Sequence, residues 1–232
     1  MNIGLAKLEK KLNIIFSNKD ILNKALTHRS YLNEHKDSEE SNERLEFLGD
    51  SILQFLTSEY LYKNYSSPEG LLTSYRAAVV RTESLAEESA KLGVGEFLML
   101  SKGEEATGGR TRPYILANTF EALLGAIYLD QGLEISRKFL EKTIFPKIAG
   151  VVKEKKYKDS KSSFQELAQE RKNVTPIYKI LKEWGPDHDK NFKAGVFITD
   201  SMEGTGEGNS KQKAEEAAAQ NALEKWEARK LV

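Results

Sequence analysis

The stretch Asn42-Glu43-Arg44-Leu45-Glu46-Phe47-Leu48-Gly49-Asp50-Ser51 carries two patterns at once. It opens an apolar run that continues through Ile52, Leu53, Phe55, Leu56, Tyr60 and Leu61. On a helix those side chains fall on every side, which predicts a buried helix. Glu43, Glu46 and Asp50 stand at i, i+3 and i+7 within it. At about 100° per residue their carboxylates share one face. Like charges gathered on a buried helix need a basic partner or a bound cation. Pairing with Arg or Lys is the general solution. A divalent metal, which takes carboxylate oxygens, is the economical one for three acids together.

Outward from this stretch, the 232 residues suffice for one large or two modest domains, and 39% hydrophobic with 30% charged residues fits a soluble globular chain. No apolar run reaches transmembrane length and no signal peptide is evident, so no membrane partner is expected. The absence of cysteine excludes disulfides and thiol chemistry and fits a reducing cytoplasm. Net charge is zero. Residues 1–150 hold 19 of the 35 Lys/Arg and 21 of the 35 Asp/Glu, so the two parts carry −2 and +2. That split is too small to argue for nucleic acid; a phosphate-binding surface has to be a local patch.

Residues 1–40 read as helical, with Leu5, Leu8, Leu12 and Ile15 in one stripe and Leu22, Ala25 and Leu26 in another. The helix of the opening stretch should stop near Tyr65, before Ser66-Ser67-Pro68. Residues 69–92 are helical again. The polar stretch 101–112 has glycines that would admit a phosphate, but a mobile surface loop is the plainer reading. Tyr114 to Asp130 forms a second strongly apolar helix, with Asn118 and Glu121 on one face, and another apolar helix runs to Pro146. Residues 149–159 look like a charged linker. Beyond them the pattern changes: a short helix from Phe164 to Arg171, and a strand from Pro176 to Trp184 with Tyr178, Ile180 and Trp184 on one face. Phe192, Ala194, Val196 and Ile198 alternate as a further strand, and the last helix has a small-residue side of Ala214, Ala217, Ala218 and Ala222.

The decapeptide 42–51 resembles the signature helix of the ribonuclease III family. Ala25-Leu26-Thr27-His28-Arg29-Ser30-Tyr31 resembles a second motif of that family, and Leu116 to Gly125 its second metal-binding helix. Here the chain departs from the commonest pattern, with Asn118 where Asp is usual. Residues 160–229 resemble a double-stranded RNA-binding domain. The fold class implied is an all-α catalytic domain, residues 1–148, followed by a small α+β (α-β-β-β-α) domain, residues 160–229.

The resemblance implies a double-strand-specific endoribonuclease that processes rRNA precursors and other structured RNAs, working as a homodimer with no organic cofactor. It implies ends bearing 5′-phosphate and 3′-hydroxyl with two-nucleotide 3′ overhangs. Glu46, Asp50, Asn118 and Glu121 would hold Mg²⁺, with Mn²⁺ able to replace it, and Asp50 and Glu121 would be catalytic. One ion or two is left open. Glu43 would stand behind the ligands, and His28 would be structural. Glu69 would lie near the dimer-related centre, or simply be an acidic helix start.

Ser163, Gln165 and Glu166 would reach 2′-hydroxyls, and the loop containing His188 would enter the next minor groove. Ser210, Lys211 and Lys213 would grip phosphate at a helix N-terminus. The family usually has a second Lys where this chain has Gln212. The alternative for both lysines is a solvated helix start, although cations there oppose the helix macrodipole. A non-catalytic duplex-RNA-binding protein is the rival reading, with Asn118 as its support.

Overall fold

A computed structural model describes residues 3–35, 40–154, 160–186 and 190–228. The chain divides into two compact units, Met1–Tyr157 and Lys158–Val232. No helix among the described residues is long and apolar enough to cross a membrane.

The first unit is helical: α1 (Ile3–Leu12), α2 (Lys19–Ala25), α3 (Glu43–Asn64), α4 (Glu69–Val80), α5 (Thr82–Lys91), α6 (Lys102–Ala106), α7 (Pro113–Thr143) and α8 (Phe145–Lys153). Chain punctuation sets these bounds. Asn13 takes a left-handed φ of 55° and ends α1. Asn18 caps α2 through the amide of Asp20. Pro113 and Pro146 sit in the first turns of α7 and α8, where the missing N–H costs nothing. Gly132, at φ 80°, interrupts α7 between the two apolar runs read from the sequence. The helical stretch expected over 69–92 is two helices, because Arg81 turns extended between them. Residues 149–153, expected to begin the linker, continue α8.

Leu8, Leu22, Leu53, Leu56, Phe120, Leu123, Ile127 and Leu140 are among the fully buried side chains of one core. α3 and α7 cross at its centre, backbone against backbone. A Cβ on Gly49 would collide with the carbonyl of Glu121, and one on Gly125 with the carbonyl of Leu45. The expectation of a wholly buried α3 is corrected here. Leu45, Ile52, Leu53, Leu56 and Leu61 are buried, but Phe47, Phe55 and Tyr62 are 78%, 54% and 81% exposed. The core covers one side of α3 and leaves a second apolar face on the surface of the single chain.

The second unit has helix α9 (Ser160–Lys172), strands β1 (Ile177–Trp184), β2 (Asn191–Ile198) and β3 (Ser201–Gly208), and helix α10 (Lys211–Ala228). The sheet is antiparallel in the order β1-β2-β3. Phe164, Ala194, Val196, Ile198, Ala218 and Trp226 lie in its core. A register shift between Ile180 and Lys182 takes Trp184 off the face expected for it, and its side chain is 37% exposed. Gly204 and Gly206 press on the backbone of α10 at Ala218, so only glycine fits there. Trp226 donates to buried Glu203 at 2.8 Å and stacks edge-on against Phe164.

Candidate active site

The Gly49–Gly125 crossing determines which side chains meet. Around this crossing α3 presents Glu46, one turn before Gly49, and Asp50, next to it, while α7 presents Glu121 and Asn118, about one and two turns before Gly125. Asn118 hydrogen-bonds to the Glu46 carboxylate. Glu121 is partly buried, and its pKa is pushed up to about 8, first by burial and then by the charges of Asp50 and Glu46. Glu46 is raised too, by burial first, with Glu43 and Asp50 adding and the Asn118 hydrogen bond opposing. Asp50, exposed, accepts a hydrogen bond from Gln54 Nε2 at 3.3 Å.

Among the described residues Glu46, Asp50 and Glu121 form no ion pair with Lys or Arg, whereas Glu40, Glu43 and Glu59 nearby all do. The general solution of ion pairing is therefore not taken at the cluster. Among the described residues no group of three or more His, Cys, Asp or Glu side chains is arranged to hold a metal ion. The donor set of three carboxylates and one amide, without thiol or imidazole, nevertheless suits a hard cation that keeps some of its water. An acid held above its ordinary pKa by neighbouring negative charge is what such a cation would relieve.

Other expected residues fall at different distances from this centre. Glu43 is exposed, accepts Ser41 Oγ at 2.9 Å and lies 3.6 Å from Arg29, behind Glu46. Glu69 starts α4 and accepts Thr73 Oγ1; within one chain it makes no contribution to the perturbed Glu46 or Glu121. His28 caps the 3₁₀ turn Arg29–Asn33, its Nδ1 2.9 Å from Ser30 Oγ. Burial lowers its pKa.

The rest of that motif is a fastener. His28 N donates to the Met99 carbonyl, Ser101 N to Ser30 Oγ, and Lys102 N to the Glu34 carboxylate. The stretch 101–112, expected to be mobile, is α6 and a 3₁₀ turn at Gly109–Thr111. Arg110 bonds the carbonyls of Gly95 and Leu98, and Arg112 that of Thr107, so both guanidiniums are engaged in holding this stretch together. The sequence signal for this was the pair of arginines in and just after a Gly-rich turn, which reads equally well as a basic patch.

In the second unit Gln165 and Glu166 are exposed on α9 and line a groove of about 630 Å³ with Ser162, Gln169, Glu170 and Asn173. Ser163 is on the same helix, half-buried and outside that lining. The additional lining residues recur at helical spacing, a signal present in the sequence but not used. Ser210 caps α10 by accepting Lys213 N at 3.2 Å. Lys211 pairs with Glu183 at 3.4 Å and lies over the Phe192 ring. His188 lies outside the described residues.

A helical nuclease-like unit with an uncompensated acid cluster, followed by an α-β-β-β-α unit, defines a class: a nuclease joined to a duplex-RNA-binding module. Residues 18–148 match the Ribonuclease-III-like family model and residues 160–226 the double-stranded RNA binding motif. The chain is 48% identical over 221 residues to Ribonuclease 3 of Geobacillus thermodenitrificans, covering 94% of this chain and 89% of the relative. It is 44% identical over 220 residues to Ribonuclease 3 of Enterococcus faecalis, covering 94% and 95%. The nuclease domain of ribonuclease III from Campylobacter jejuni superposes with a TM-score of 0.56 at 40% identity, covering 60% of this chain and 97% of that one. The chain belongs to the ribonuclease III family and is an endoribonuclease acting on double-stranded RNA. Divalent-metal dependence goes with the family.

Proposed function

We propose that this chain hydrolyses phosphodiester bonds of duplex RNA in a Mg²⁺-dependent reaction, leaving 5′-phosphate and 3′-hydroxyl ends with two-nucleotide 3′ overhangs, and that it matures rRNA precursors and other structured RNAs in the cytoplasm. The observation that carries this reading is the set of three acids on two helices, brought together by a glycine crossing and paired with no Lys or Arg among the described residues. Glu46, Asp50, Glu121 and the amide oxygen of Asn118 would hold Mg²⁺. When bound, the ion supplies water activation and neutralisation of charge at the scissile phosphate. Glu121 has to shed the proton it holds up to about pH 8, so ion binding strengthens as pH rises.

Residues 1–148 would cut and residues 160–229 would bind, joined through 149–159. The groove of α9 offers hydroxyl, amide and carboxylate groups suited to 2′-hydroxyls. Lys211 and Lys213 stand at the start of α10, where phosphate is favoured. The exposed apolar face of α3, with Phe47, Phe55 and Tyr62 within about 80° on the helix, supports pairing with a second copy. The Campylobacter structure's description likewise concerns a region involved in dimer formation. The test is cleavage of a long RNA duplex by wild type and Glu121→Gln across a Mg²⁺ titration, with duplex binding measured in parallel. Loss of cutting with binding retained is expected. Full cutting by the variant, or by the wild type in excess chelator, would overturn the proposal.

A further inference from the structure

Acids on and beside α3 find their partners in two ways. Glu59 is met four residues on by Lys63 at 2.7 Å, and Glu40 by Arg44 at 3.2 Å; both are cation pairs in the usual acid-before-base order. Asp50 also has a partner four residues on, but it is the neutral Gln54, whose Nε2 donates to Oδ1 at 3.3 Å. The second carboxylate oxygen of Asp50 has no hydrogen-bond partner among the described residues. The main-chain carbonyl of Gln54 accepts Ser58 Oγ at 2.6 Å, and that hydroxyl accepts Arg76 of α4 at 2.8 Å, which ties this turn of α3 to α4. The Asn118 amide holds Glu46 in the same neutral manner.

We infer that Gln54 is a positioning residue for the divalent ion, holding the Asp50 carboxylate in one orientation while leaving its full negative charge available. An exposed aspartate on a helix otherwise exchanges rotamers, and ordering it at the moment of ion binding costs affinity. A cation at position 54 would order the carboxylate equally well but compete with the metal for its charge. This rests on the proposed ligand set and adds to it a residue that acts through Asp50.

The test uses the full chain with Gln54→Met, which keeps length and helix propensity but has no donor, and Gln54→Lys, which supplies a charged donor. Mn²⁺ or Mg²⁺ affinity is measured calorimetrically without RNA, alongside melting temperature in chelator. Gln54→Met should bind the ion roughly three- to tenfold more weakly, less than the 10–100-fold typical of enclosed supporting partners. Its melting temperature should be unchanged, and cleavage should recover at saturating Mg²⁺. Gln54→Lys should melt higher in chelator yet bind the ion more than tenfold more weakly. Should Gln54→Met lose stability, Gln54→Lys alone decides. Wild-type ion affinity in the folded variants overturns the role of Gln54 and leaves the ligand set standing. A wild-type chain that binds neither ion overturns the ligand set, and the role of Gln54 with it.

Discussion

Replacing Glu121 by glutamine keeps the side chain's size and removes its charge. In the folded chain the Glu121 pKa is pushed from about 4.5 to about 8 by burial and by the charges of Asp50 and Glu46. The folded state therefore keeps a proton that the unfolded chain has already released. Below about pH 4.5 both states are protonated and the group has no effect on stability. Between 4.5 and 8 the destabilisation grows with pH, and above 8 it is constant. At 1.36 kcal/mol per pH unit the ceiling is about 5 kcal/mol. The carboxyl is partly open to water and screened, so about 2 kcal/mol is the realistic size. For a unit this long, that is roughly 4–8 °C in melting temperature. Calorimetry in chelator should find Glu121→Gln more stable than wild type by about this amount at pH 8.5 and nearly equal to it at pH 5. Added Mg²⁺ should close the gap, because only the wild type gains fully from ion binding; saturation at 100 times Kd adds about 2.7 kcal/mol. A difference independent of pH, or a less stable variant at pH 8.5 in chelator, would refute the electrostatic account of the cluster.

Asn118→Asp restores a charge and should lower the Mg²⁺ needed for half-maximal cleavage by about tenfold per 1.4 kcal/mol gained, with unchanged duplex affinity and slightly lower stability in chelator; superimposable titrations would place residue 118 outside the ion's reach. Gly49→Ala drives a Cβ into the Glu121 carbonyl and should cost about 3 kcal/mol in denaturant unfolding, with cleavage falling alongside; a neutral effect would mean that the crossing is not tight. Lys211→Ala should weaken all duplexes alike and reduce the log–log salt slope by about 1; a change in sequence preference alone would contradict a phosphate contact.

α3 and α7 were legible because their apolar runs are long and their acids recur at helical spacing. What brought those acids together was not legible: Gly49 and Gly125 have no side chain to register in a pattern, yet they set the helix approach. β3 was blurred for the same reason, since Gly204 and Gly206 occupy positions where a strand normally shows its apolar alternation. Phe47 and Phe55 read as core because periodicity cannot tell a face buried in the chain from one left for another surface. Arg110 and Arg112 read as part of a loose polar stretch, but their targets are backbone carbonyls, which every sequence supplies and none displays. Gln54 was passed over because a neutral amide beside an acid draws attention only once the cations elsewhere on the helix are seen.

The central claim is that Glu46, Asp50, Asn118 and Glu121 together hold a divalent ion. Anomalous scattering from a crystal of the wild-type chain grown with Mn²⁺ tests it directly. A peak is expected between α3 and α7, bounded by those four side chains and absent from a Glu121→Gln crystal. A peak elsewhere, or none at this crossing in wild type, would contradict it.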